Sequence, residues 1–197
     1  AIFAQVSNSQ ITHSQYASLK LKDAIVDRFR DKVQRRPNVD PKYPDMWFNL
    51  HIENNRAVIS IDTSGSSLHR RGYRLDTVDA PMQETLAAAL IQLTERTGEK
   101  MLIDPMCGSG TIPAEAYMSL TKLSPGYFRK KFGFQKLPDY DPALWKRLRK
   151  SMDGNFQALD SIPIQASDVD PDSLRVAKRN LGHLPGGEGI YTHRKDY

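Results

Sequence analysis

The segment Leu102-Ile103-Asp104-Pro105-Met106-Cys107-Gly108-Ser109-Gly110-Thr111 constrains this chain more than any other. A short apolar run ends at an acid, a Gly-x-Gly turn follows at once, and a helical pattern starts at about Thr111. Glycine is needed where the backbone takes positive φ or must approach a ligand closely. In open α/β sheets, ligands bind outside the carboxyl ends of the strands, which is where this turn falls. Three kinds of strand–turn–helix site compete for it. A phosphate-gripping loop needs Gly-Lys-Ser/Thr after its glycines, and this turn has none. A dinucleotide site wants a third glycine three residues on, where Pro113 stands, which disfavours a nicotinamide enzyme. An S-adenosylmethionine turn needs only the acid and the two glycines. Taken alone, the Gly-x-Gly is equally well explained as an ordinary strand-to-helix turn.

Two further acids shift that balance. Asp168 ends the next strand-like run, in Ala166-Ser167-Asp168-Val169-Asp170-Pro171. A carboxylate there can accept hydrogen bonds from both hydroxyls of a ribose, with Val169 packing on an adenine face. Asp170, directly before Pro171, reads instead as a helix N-cap. Asp196 follows a third run, Ile190–Lys195, at an edge where it can accept from an adenine amino group.

The surrounding pattern is α/β. Helices are expected over 81–97, from about 111 to 122, around 141–152 and over 171–181, and strands over 100–104, 162–168 and 189–195. Strand–helix–strand–helix–strand gives a parallel sheet with crossover helices. The helix over 81–97 shows Leu86, Ala89, Leu90 and Leu93 on one face. Ahead of this unit, residues 1–7, 46–53 and 57–62 read as strands and 14–36 as an amphipathic helix. That helix repeats Tyr16, Leu19, Ala24, Ile25, Phe29 and Val33 at three- and four-residue spacing. Asn54-Asn55 suits a tight turn, and the three prolines between Pro37 and Pro44 require a loop. Trp47 and Phe48 are expected in the core of the small sheet.

Charge points to a polyanion. The chain has 197 residues and a net charge of +5. Between Lys122 and Lys150 nine Lys or Arg face two acids, a local excess of +7 that reads as a contact surface rather than solvent padding. No apolar run reaches the roughly 18 residues needed to span a bilayer, and no signal peptide is visible, so a cytoplasmic location is expected. The single cysteine excludes an internal disulfide, and the five histidines lack metal-ligand spacing. Cys107 has no base near it in sequence and reads as a small packing residue rather than a nucleophile.

These strings together resemble one family. DPMCGSGT, SDVDP and APMQETLAAAL (80–90) are similar to the bacterial 23S rRNA (guanine-N2)-methyltransferase L family. THSQYASLKLKDAIVDRF (12–29), RPNVD (36–40) and SGSSLHRRGYR (64–74) resemble the part of its THUMP RNA-binding domain that leads into the methyltransferase domain. SPGYFRKKFGF (124–134) and ALWKRL (143–148) resemble its insertion after the first helix. The resemblance implies a partial α+β THUMP domain over 1–74, then a partial Rossmann-like class I methyltransferase sheet over 75–197. It also implies transfer of a methyl from S-adenosylmethionine to the exocyclic amine of a guanine in 23S ribosomal RNA.

Carried over by position, Asp104, Pro105, Cys107, Gly108 and Gly110 are expected around the methionine part of the cofactor. Asp168 is expected at the ribose, and Val169 and Asp196 at the adenine. The segment around Pro81 resembles one that packs beside the methionine end. The family's Asn-Pro-Pro-Tyr motif would place an amide oxygen, a backbone carbonyl and a stacking ring around a flipped base. It is expected beyond Tyr197, so no catalytic residue is assigned and this polypeptide is expected not to transfer methyl as given. RNA contact is expected from Arg70, Arg71 and Arg74, helped by His69, and from Arg129, Lys130 and Lys131. The aromatics Tyr127, Phe128, Phe132 and Phe134 either stack on unpaired bases or pin the insertion to the core. A non-catalytic RNA-binding module, or an amino-methyltransferase acting on transfer RNA or DNA, remain alternatives.

Overall fold

In a computed structural model of the chain, residues 1–40, 44–94 and 98–196 are described. They form two compact units. The first comprises 1–66 with 131–140, the second 67–130 with 141–197. Residues 67–74 thus group with the second unit and 131–140 with the first.

In the first unit, strand β1 (Ile2–Ser7) leads into helix α1 (Ser14–Val33), then β2 (Phe48–Glu53) and β3 (Arg56–Ile61). β1 and β2 pair in parallel and β2 and β3 antiparallel. The turn between β2 and β3 is Asn54-Asn55, both at positive φ (49° and 61°), as its sequence suggested. The core is Ala17 of α1 against Leu50 and Ile52 of β2. The buried face of α1 differs from the expected one. Ala17 and Val26 are buried, whereas Tyr16, Leu19, Phe29 and Val33 are exposed. A small alanine lets the helix approach the sheet closely, and this outweighs the larger apolar side chains one position away. Trp47 and Phe48 are only half-buried rather than core. Part of the expected proline loop, residues 41–43, lies outside the described residues.

The second unit contains α2 (Glu84–Leu93), β4 (Leu102–Asp104), α3 (Thr111–Leu120), α4 (Pro142–Asp153), β5 (Ile164–Asp168), α5 (Pro171–Leu181) and β6 (Tyr191–Arg194). The sheet is wholly parallel, in the order β4-β5-β6, with α3 and α5 as crossovers. This is the expected α/β architecture. Residues 95–97 of the helix expected over 81–97, and Tyr197, lie outside the described residues. The main core gathers Tyr73, Ile91, Ala114, Tyr117, Ile164, Leu181 and Leu184. In α2 the expected face is again displaced. Glu84, Ala87 and Ile91 are buried, and Leu86, Leu90 and Leu93 are exposed. Ala87 and Ala114 are both fully buried, and α2 and α3 pack together.

Candidate cofactor site

The carboxyl ends of β4, β5 and β6 carry the three acids read from the sequence. Asp104 closes β4, Asp168 closes β5, and Asp196 lies two residues past β6. The first two are drawn together by the glycine turn. The Gly108 N–H donates to Asp168 Oδ2 at 2.9 Å, and the Asp170 N–H donates to Asp168 Oδ1 at 3.0 Å. The Cys107 N–H donates to the Ser167 carbonyl at 2.9 Å, and the Lys195 N–H to the Asp168 carbonyl at 3.2 Å. The Asp168 carboxylate is therefore oriented by two backbone amides. Each oxygen keeps a lone pair for a ribose hydroxyl.

The turn's shape follows from its glycines. Gly108 and Gly110 lie at φ 51° and 81°, the left-handed region that glycine enters without strain. A Cβ on Gly110 would also stand 3.3 Å from Ala177 Cβ and 3.4 Å from Leu181 Cγ. Gly110 thus serves both the turn and the approach of α5. Gly110 N-caps α3 through its backbone, and Asp170 caps α5, accepting from the N–H groups of Asp172 (3.2 Å) and Ser173 (3.0 Å). The N-cap reading of Asp170 holds.

Asp104 is 8 % exposed and accepts from the Met106 N–H at 3.3 Å. Burial, and then the neighbouring Asp168 charge, raise its carboxyl above the ordinary carboxylate value, against the Met106 hydrogen bond. It has no cationic partner among the described residues. Cys107 is packed with Ala166, Leu174 and Ala177, and burial beside two carboxylates pushes its thiol up to about 12. That thiol is neutral near pH 7, which removes the nucleophile reading on physical grounds. Pro105 is half-buried, while Val169 (51 % exposed) and Asp196 offer open surface at the far side of the site. A buried carboxylate, a strand-end carboxylate held by two backbone amides and an exposed apolar side chain thus lie together at the carboxyl end of the sheet.

The arginines expected at RNA divide. Arg70 is exposed. Arg71 donates from Nε to Glu115 Oε1 (3.3 Å) and keeps 13 % of its side chain exposed. Arg74 pairs with Glu84 (3.4 Å) and donates through Nη2 to the Met82 carbonyl and Thr111 Oγ1, both at 2.8 Å. These two guanidinium groups are held by buried carboxylates inside the second unit. Burial raises the Glu115 carboxyl, with Arg71 opposing it. Arg129 donates to the Ser67 carbonyl (3.1 Å), while Lys130 and Lys131 are exposed. His69 Nδ1 lies 2.7 Å from Ser67 Oγ. The aromatics of the insertion are half-buried and engaged with one another. Phe128 stacks on His183 (4.6 Å) and meets Tyr127 edge-on (5.0 Å), and Phe132 stacks on Phe134 (5.2 Å). Ring contacts of this kind are those a pinning role needs.

Sequence reading missed Asn180. It is fully buried in α5. Its Oδ1 accepts from the N–H groups of Leu75 (2.8 Å) and Asp76 (3.1 Å), and its Nδ2 donates to the carbonyls of Asp76 and Ser109, both 3.0 Å. It ties the segment before α2 to the glycine turn. A single asparagine inside a helical pattern gives no local signal of such a role.

A parallel three-stranded sheet, an acid–glycine turn and a second strand-end acid define a class I methyltransferase fold with a nucleoside-type site. Comparison with known proteins agrees. Residues 71–196 match the family described as RMKL-like, methyltransferase domain, and residues 1–62 match the THUMP domain; the chain belongs to this methyltransferase family. The protein slr0064 of Synechocystis sp., described as an RNA methyltransferase, is 40 % identical over 96 % of this chain and 50 % of its own length. The ribosomal RNA large subunit methyltransferase K/L of Magnetococcus marinus is 41 % identical over 96 % of this chain and 27 % of its own. The chain thus spans half or less of the length of these relatives. Among solved structures, a Listeria monocytogenes protein described as an N6-adenine-specific DNA methylase superposes with TM-score 0.85 at 29 % identity, covering 98 % of this chain and 51 % of that one. SMU.472, described as a methyltransferase and crystallised with SAH, gives 0.83 at 28 % identity, covering 98 % and 52 %.

Proposed function

We propose that this chain forms the cofactor-binding and RNA-binding part of an S-adenosylmethionine-dependent RNA methyltransferase that acts on a guanine N2 amine of 23S ribosomal RNA in the cytoplasm. The observation that carries this reading is the Asp168 carboxylate, oriented by the Gly108 amide beside a buried Asp104 that lacks a cation. Asp104, Pro105, Cys107, Gly108 and Gly110 surround the methionine portion. Asp168 accepts from the ribose hydroxyls. Val169 and Asp196 take the adenine. When bound, the cofactor's sulfonium supplies an activated methyl. The protein's task is to fix that methyl against the acceptor amine and to exclude water.

The names of the K/L relatives and the THUMP match support ribosomal RNA as the substrate, and Arg70, Arg129, Lys130 and Lys131 are its contacts. No helix among the described residues is long and apolar enough to cross a membrane. The name of the Listeria protein favours a second substrate, DNA, so the test separates the two. Calorimetric titration of S-adenosylmethionine into this chain should show micromolar binding that Asp168→Ala weakens roughly 100-fold. Competition among 23S rRNA, transfer RNA and duplex DNA for the same chain should rank 23S rRNA first. Preference for DNA would overturn the substrate, and unchanged titration in the variant would overturn the site.

A further inference from the structure

We infer that helix α4 is a phosphate-contacting ridge that docks the RNA backbone, an inference that rests on the RNA reading above. α4 buries none of its residues. Its less exposed side is formed by Trp145, Arg149 and Asp153. Arg149 is spent in holding the helix down. Its Nη1 donates to the Arg129 carbonyl (2.7 Å), its Nη2 to the Tyr127 carbonyl (2.8 Å), and its Nε lies 3.6 Å from Asp153. Adjoining that side, the helix carries Lys146, Arg147 and Lys150, all exposed. At 1.5 Å rise per residue, Lys146 and Lys150 stand about 6 Å apart along the axis, with Arg147 beside them.

The same surface gains two more cations. The Arg149–Arg129 bond runs the 129–130 backbone alongside α4, which brings exposed Lys130 near it. A cavity of about 320 Å³ is lined by Met152 and Asn155 at the end of α4 and by Lys122. None of Lys122, Lys130, Lys146, Arg147 and Lys150 has an ion-pair partner among the described residues. The acids nearby are occupied. Asp141 caps α4, accepting from Ala143 N (2.8 Å) and Leu144 N (3.0 Å), and Asp153 pairs with Arg149. Of the nine cations between Lys122 and Lys150, Arg149 holds α4 down and Lys136 pairs with Asp45, while Lys122, Lys130, Lys146, Arg147 and Lys150 are exposed around one helix.

That arrangement fits phosphates rather than bases. The ridge presents charge without an exposed aromatic, because the aromatics of the insertion are engaged with each other. Contacts of this kind give affinity and register without sequence preference. A basic helix can also lie on an anionic lipid surface through an apolar face, and Leu144, Leu148 and Met152 of α4 are 45 %, 50 % and 50 % exposed; the THUMP match favours RNA as the occupant. Trp145, the one aromatic of α4, is on the less exposed side.

The test compares this chain with its Lys146→Ala/Arg147→Ala/Lys150→Ala variant, using anisotropy of a fluorescein-labelled single-stranded RNA over a salt series. Unchanged S-adenosylmethionine titration and thermal melting establish that the variant is folded. Removing three phosphate contacts should weaken binding at least ~10-fold near physiological salt and lower the log–log salt slope by about 2. The charge-preserving Lys146→Arg/Arg147→Lys/Lys150→Arg variant should retain both. If the wild-type chain binds no RNA, the RNA reading falls and this inference with it. If the wild type binds and the alanine variant matches it in affinity and slope, the ridge alone is overturned. RNA binding unchanged with lost binding to phosphatidylserine vesicles would assign the helix to lipid instead.

Discussion

At the scale of residues, two aspartates at adjacent strand ends do different work because their surroundings differ. Asp168 accepts two backbone N–H bonds, which aim its carboxylate. Replacing it with alanine should cost cofactor affinity roughly 100-fold, as expected for two hydroxyl bonds to a charged acceptor. Asp104 is desolvated and lies beside a like charge, so the folded protein holds its proton more tightly than the unfolded chain does. A carboxyl raised in this way contributes stability when protonated, and that contribution is lost as pH rises through its folded value, above the ordinary 3.8. Asp104→Asn removes the ionisation. Its melting temperature should exceed that of wild type by an amount that grows, within a few degrees, as pH rises from the ordinary 3.8 through the raised folded value and is constant above it. The same variant should bind S-adenosylmethionine ~10-fold or more weakly near neutral pH, since the amide offers no charge to the cofactor's cation. Calorimetry and a melting series on one variant check both signs. A variant that lost stability at neutral pH would contradict the desolvated state of Asp104.

At the scale of elements, the site is built by a turn, two caps and one clamp. Gly110→Ala would place a left-handed alanine against Ala177, and should cost about 1–3 kcal/mol of stability in urea unfolding. Asn180→Ala would leave the Leu75 and Asp76 amides and the Ser109 carbonyl without their partner. A loss of about 2–4 kcal/mol is expected, together with weaker cofactor binding because Ser109 belongs to the turn. Asn180→Asp keeps the acceptor but loses the donors, so affinity should recover partly on acidification, which a purely steric effect would not do. The turn and caps were legible in the sequence because their chemistry is local: Gly-x-Gly after an acid, and Asp before Pro at Asp170. The clamp was not, since its partners lie about a hundred residues away in Leu75 and Asp76. The faces of α1 and α2 were misjudged for a related reason. Periodicity ranks side chains by size and polarity, so Leu86, Leu90 and Leu93 outweighed Ala87 and Ile91. Packing against α3 selects the small residue that allows close approach, and a Glu84 neutralised by Arg74 is tolerated beside it. The pairing of Arg71 with Glu115 and of Arg74 with Glu84 was not legible, because each glutamate is concealed in an apolar helix and Glu115 is 44 residues from Arg71.

At the scale of the whole molecule, the second unit leaves substantial apolar surface uncovered. Leu86, Leu90 and Leu93 recur along α2 at 53 %, 42 % and 80 % exposure, and Met101, Ile103 and Met106 surround β4 at 56 %, 54 % and 82 %. β4 is also the outer strand of its sheet, so one row of its backbone groups is unpaired among the described residues. Exposed apolar surface joined to an open strand edge favours association between copies, and the net charge of +5 opposes it only weakly once salt screens it. Light scattering from this chain should therefore show an average mass that rises with concentration and rises further with added salt. Ile103→Lys places a charge on the edge strand, and Leu90→Lys places one in the middle of the α2 stripe. Each should move scattering toward the monomer. Because both side chains are about half exposed, each should change the melting temperature by no more than a few degrees. Association untouched by either charge would mean that copies meet through another surface, with β3, where Val58 and Ile59 on opposite faces are 57 % and 55 % exposed, the next to alter.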